Sequence, residues 1–195
     1  MFLSRIDPAW VKQKLVPWFD NRRHESYAAW EGYLRCPNPW LSEEFADLIY
    51  PKIGRLFPAV YDFKDVDNMA RSASIILVEL SSTQKTGLWT LPPDIARNAI
   101  RHMQENNRKD IVSRLSAIGR NDEKNWQERV VPFIENCWPK DLNIQSPELT
   151  RSWLSLLSET GDSFPNVFQV VRDKLRPIGG FRTPLSDLNR KKLTT

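Results

Sequence analysis

Residues 25–40 read ESYAAWEGYLRCPNPW, and this stretch decides the fold class. Tyr27, Trp30 and Leu34 recur at steps of three and four, which puts them on one face of a helix. Tyr33 widens that face, while Glu25, Glu31 and Arg35 lie off it. Pro37 and Pro39 then end the helix, because proline has no amide to donate and disfavours helix in the residue before it. A half-buried strand would alternate apolar and polar residues, and no stretch of the chain sustains that alternation.

The same pattern recurs on both sides. Upstream, Asp7-Pro8 supplies a cap and a first-turn proline. Trp10, Val11, Leu15 and Trp18 are expected as the inward stripe, with Lys12 and Lys14 outside and Pro17 as a kink. Downstream, Ser42-Glu43-Glu44 caps a helix carrying Phe45, Leu48, Ile49, Ile53, Leu56 and Phe57, divided at Pro51. Asp65–Ser81 is apolar over much of its circumference (Met69, Ala73, Ile76, Leu77, Leu80, with Ile75 and Val78), as central helices are. Gln84–Trp89 reads as a loop.

Pro92-Pro93 opens a helix with Ile95, Ala99, Ile100 and Met103 inward, broken at Asn106-Asn107. The next, near Arg108–Ile118, turns Ile111, Leu115 and Ile118 inward and ends at Gly119, where a left-handed residue is expected. Asn121–Trp138 bears Trp126, Val130, Phe133, Ile134 and Cys137, with a bend at Pro132. Ser146-Pro147-Glu148 starts a helix with Leu149, Trp153, Leu156 and Leu157, closed by Gly161. Phe164–Leu175 is the last long helix, with Val167, Phe168, Val171 and Leu175 inward, and Gly179-Gly180 ends it.

An internal echo runs through this series. Val16-Pro17-Trp18-Phe19-Asp20 resembles Val131-Pro132-Phe133-Ile134-Glu135, and the segment from Glu25 to Trp30 resembles that from Glu148 to Trp153. The spacing within the two halves differs, so the repeat is loose. The fold class is therefore all-α: short amphipathic helices in hairpins, as a HEAT-like stack or a compact orthogonal bundle. Residues 1–180 form one helical domain, with a possible subdivision near 82–92, and residues 181–195 form a basic tail.

Composition narrows the function classes. With 41% hydrophobic and 27% charged residues, the 195-residue chain has the makings of a packed core rather than a disordered segment. The eight tryptophans read first as core filler between helices and second as an aromatic surface for a partner. Cys36 and Cys137 are too few for a disulfide framework and are expected as buried thiols of a reducing, cytoplasmic compartment. No apolar run is long enough to span a membrane, and MFLSRIDPAW lacks the pattern of a signal peptide.

A search for chemistry yields little. His24 and His102 are the only histidines and have no carboxylate or cysteine at metal-ligand spacing, so no metal site is expected. No phosphate-cradling glycine loop is present, so no cofactor is expected either. Glu43-Glu44 and Asp65/Asp67 read as helix-start acids. A nucleophile at Cys36 or Cys137 paired with a histidine lacks an activating context, leaving no catalytic residue to name. Arg97, Arg101, Arg108, Lys109 and Arg114 form a basic run diluted by Asp94, Glu105 and Asp110, which reads as a mixed solvated face. The net charge of +4 collects at the end of the chain. There Arg172, Lys174, Arg176, Arg182, Arg190, Lys191 and Lys192 stand against Asp173 and Asp187. These seven cations are the candidate nucleic-acid contacts if the protein binds nucleic acid.

The segment Ala28–Leu56, with its AAWEGYL…P…W…LIYPKI…L pattern, resembles the helical domain known as DUF4020, found at the C-terminal end of bacterial SIR2-like antiphage defence proteins. Trp138–Ile178 (WPKD…SPELTRSWLSLLSETGDSFPNVFQVVRDKLRPI) resembles it too. The resemblance implies a HEAT-like module that senses or holds a protein partner, a SIR2-like domain or a phage component, while a separate SIR2-like domain consumes NAD. The glycine-rich NAD loop and catalytic histidine region of that domain are absent from this sequence, so no catalytic residue carries over. The expected protein is then the accessory module alone or a C-terminal fragment of a longer chain. The expected function is a non-enzymatic interaction or sensor module, with nucleic-acid binding through the basic tail as the alternative.

Overall fold

A computed structural model of the chain describes residues 7–20, 24–35, 48–57, 66–82 and 90–178. Every regular element among them is helical. The longer α-helices are α1 (His24–Leu34), α2 (Val66–Ser82), α3 (Pro93–His102), α4 (Glu105–Asn121), α5 (Val131–Asn136), α6 (Pro147–Ser158) and α7 (Phe164–Val171). They are joined by shorter turns: Val11–Leu15 and Trp126–Val130 are π-helical, and Val16–Asp20, Tyr50–Arg55 and Arg172–Lys174 are 3-10. The predicted Ser42-Glu43-Glu44 cap, Phe45, Trp40, Trp89, Cys36, the 84–89 loop and the 181–195 tail lie outside the described residues.

α2 packs on α4, and α4 packs on α6. The hairpin of α6 and α7 folds back so that α7 lies on α5 and on the π-turn before it. One apolar cluster runs through all of these, from Val11 to Val171. Trp30, Tyr33 and Leu34 of α1 are buried in it as their spacing requires, with Tyr27 at its edge. Off that face, Arg35 pairs with Glu31 one turn back at 3.0 Å. Two predicted caps form: the Trp10 amide donates to the Asp7 carboxylate at 2.8 Å, and the Leu149 amide to the Ser146 hydroxyl at 3.0 Å.

The two Val-Pro pairs of the sequence echo do the same thing. The Val16 amide donates to the Val11 carbonyl, five residues back, immediately before Pro17. The Val131 amide donates to the Trp126 carbonyl immediately before Pro132. A proline removes one amide and presses its ring on the carbonyl four residues earlier, and a widened π-turn relieves both demands. Each half then buries a tryptophan against an aromatic neighbour. Trp30 meets Phe19 edge-to-face at 4.7 Å and 79°, and Trp153 meets Trp138 at 4.7 Å and 75°.

That widening overturns one expectation. Trp10 and Trp18 are not part of the inward stripe: they are 45% and 49% exposed, and Val11, Val16 and Phe19 take the core positions. A face read at ordinary α-helical spacing loses phase across a π-turn followed by a 3-10 turn. Phe168 is also outward, as described below.

Two boundaries move as well. Asn106-Asn107 does not break the chain; both lie in the first turn of α4, and Asn107 is buried. The break falls at Met103 and Gln104, whose backbones are extended. Arg108 holds that corner by donating to the carbonyls of Ile100 and Arg101, each at 3.1 Å. Gly119 is not a left-handed terminator but an interior residue of α4 lying under the Trp126 ring. Among the described residues only Gly161 has a positive φ, 53°; α6 itself ends at Ser158 with Glu159 as its cap, and Gly161 opens the next 3-10 turn.

Candidate functional site

The last helix exposes what the core does not use. α7 carries five large apolar residues in eight, more than one face can bury: Phe164, Val167, Phe168, Val170 and Val171. Val167 and Val171 take the inward positions and are fully buried. Phe164 and Phe168 are left on the outside, 45% and 39% exposed. Their rings stack on each other at 5.5 Å, with planes 11° apart. A stacked aromatic pair held in place by a helical turn is rigid and apolar, which suits it to fill a recess in a partner.

Only part of the predicted basic cluster gathers at the end of this helix. Arg172 is exposed and sits 3.6 Å from the Asp173 carboxylate. Lys174 folds back to donate to the Val170 carbonyl at 2.9 Å, and burial pushes its pKa down, with Lys140 adding to the effect. The Arg176 backbone amide donates to the Thr150 hydroxyl at 2.8 Å, and one guanidinium nitrogen is buried. Lys174 is thus turned to structural work, and the Arg176 guanidinium is partly buried. Arg182, Arg190, Lys191 and Lys192 lie outside the described residues.

The second basic run is engaged throughout. Arg97 donates to the Asn136 carbonyl, Arg101 pairs with Asp141 at 2.6 Å, and Lys109 lies 3.7 Å from Glu105. Arg108 grips carbonyls of α3, and Arg114 pairs with Glu79. Of the interspersed acids only Glu105 pairs within the run; Arg97, Arg101, Arg108 and Arg114 bind carbonyls and carboxylates of other segments.

Glu79 is the hub of a network that sequence reading missed. It lies on α2 with its side chain 13% exposed, and binds Arg114 of α4 at 2.7 Å and Arg129 of the π-turn at 3.1 Å. Arg129 also donates to the Ser82 hydroxyl and carbonyl at 3.1 and 3.3 Å, satisfying the end of α2. Both arginines retain solvent contact, and the network joins three elements. Glu79→Gln is expected to cost about 1–2 kcal/mol in urea denaturation, discounted for that exposure.

Cys137 is buried, and burial pushes its thiol pKa up to about 11. A thiol held this firmly protonated is a poor nucleophile. His102 is exposed, with Nδ1 2.8 Å from the Asn98 carbonyl. Among the described residues no group of three metal-ligating side chains assembles, and no helix is long and apolar enough to cross a membrane. No family model, curated protein or solved structure matches this chain.

Proposed function

We propose that this protein is a non-enzymatic helical interaction or sensor module, accessory to a bacterial antiphage defence system in which a separate SIR2-like domain consumes NAD. The observation that carries the interaction role is the Phe164–Phe168 pair: two large apolar side chains locked in a stack on the outer face of α7. The resemblance of Ala28–Leu56 and Trp138–Ile178 to the helical module of such systems supplies the context, with hairpins stacked in HEAT-like fashion in the cytoplasm. The occupant of the aromatic face is a protein partner with an apolar recess, the SIR2-like domain itself.

The test is titration calorimetry between this chain and a SIR2-like protein encoded beside it. Phe164→Ser with Phe168→Ser should weaken binding by about 100-fold or more, the scale of two central aromatic contacts, while the chain stays folded at the assay temperature with a melting temperature lowered by the buried part of each ring. Unchanged binding by that variant removes the aromatic face from the interface. NAD consumption by the purified chain alone rejects the non-enzymatic role.

A further inference from the structure

Four of the six tryptophans among the described residues, Trp30, Trp126, Trp138 and Trp153, are buried. The two exposed ones, Trp10 and Trp18, belong to one continuous segment, and Lys14 lies midway between them. Trp10, Lys14 and Trp18 are all exposed, while Val11, Val16 and Phe19 face the core. Lys12 is exposed beside them. Neither lysine makes an ion pair or hydrogen bond among the described residues. Residues 8–19, PAWVKQKLVPWF, contain no acid; of the two acids that flank them, Asp7 caps the Trp10 amide and Asp20 ends the Val16–Asp20 turn.

We infer that this Trp–Lys–Trp stripe binds single-stranded nucleic acid. A single strand offers flat base faces alternating with phosphates. Indoles stack on the first with little regard to sequence, and ammonium groups neutralise the second. The aromatic–cation–aromatic order matches that alternation. It does not match a membrane surface, where an interfacial helix presents a continuous apolar face flanked by its charges. Here a lysine interrupts the indoles, Ala9, Gln13 and Pro17 are exposed with them, and Val11 and Val16 are committed to the core. This site is separate from the Phe164–Phe168 face and does not depend on what that face binds.

The experiment uses the full chain and fluorescent oligothymidylate and oligouridylate, read by anisotropy at low salt. Binding is expected, with quenching of tryptophan emission. Trp10→Ala with Trp18→Ala should weaken it at least about tenfold, and Trp10→Phe with Trp18→Phe should restore most of it by keeping the ring faces. Lys12→Ser with Lys14→Ser should lower the slope of log affinity against log salt by about 1.4, two phosphate contacts' worth. All three variants should stay folded by circular dichroism at the assay temperature; the Trp→Ala pair also removes the buried part of each indole and should melt below the other two. Absence of binding at low salt overturns the assignment. So does equal binding by the Trp→Ala variant, which would place the contact elsewhere, on the basic tail for example. Binding to phosphatidylserine vesicles with none to the oligonucleotides overturns it in favour of a membrane surface.

Discussion

Trp153→Ala should lose about 3–5 kcal/mol of stability, the largest loss expected from any single truncation here. Trp153 is fully buried on α6 and meets Trp138 edge-to-face at 4.7 Å. Its removal opens a cavity where α6 joins α4 and α7, and the flanking helices cannot collapse into it without breaking their own contacts. The melting temperature should fall by on the order of 10 °C. Trp153→Phe separates the contributions. The indole N–H is buried and finds no hydrogen-bond acceptor among the described residues, so the side chain acts by apolar bulk alone. Phenylalanine keeps much of that bulk and discards the orphaned donor. It should therefore recover more than half of the loss. If the two variants melt together, an unrecognised polar partner of the indole is at work.

Trp153 was legible in the sequence because its neighbours in α6 recur at regular helical steps beyond a clear Ser-Pro-Glu start. The same holds for Trp30, and for Ile76, Leu77 and Leu80 of α2. Face assignment works where the helix is regular and apolar on one side only. It failed at Trp10 and Trp18 because a π-turn before Pro17 changes the angular step, and apolar spacing alone carries no trace of that. The usable signal was the echo of Val16-Pro17 in Val131-Pro132, two Val-Pro pairs that close the same kind of turn. Phe168 failed for another reason. With Val167 beside it, α7 is apolar on too many sides for its pattern to choose, and packing against α5 settles the matter in favour of the smaller valines. Glu79 could not have been found, since its two arginines lie 35 and 50 residues away on other elements. The candidate surfaces are thus the places where local pattern and tertiary packing part company, as functional positions are expected to be.

Gly119 offers the sharpest contest between local and tertiary physics. It lies inside α4, where glycine is a poor helix former and alanine should gain about 1 kcal/mol on propensity. A Cβ at this position would sit 2.5 Å from Trp126 Cδ2 and Cζ2, and closer still to Cε2. No real packing tolerates such distances, so the indole or the helix must move. Trp126 has little room to do so: it is buried, and its own carbonyl accepts the Val131 amide that closes the π-turn. Overpacking of this kind costs about 1–3 kcal/mol, enough to reverse the propensity gain. Gly119→Ala should therefore destabilise, and Gly119→Val, with two further methyl groups, should lose more than about 3 kcal/mol. The cause is separable by a second change. In a Trp126→Leu background the ring is gone, and Gly119→Ala should turn neutral or stabilising, a coupling of about 1–3 kcal/mol between the two sites. Equal destabilisation in both backgrounds would mean that the glycine is needed for its backbone and not for the space it leaves to Trp126.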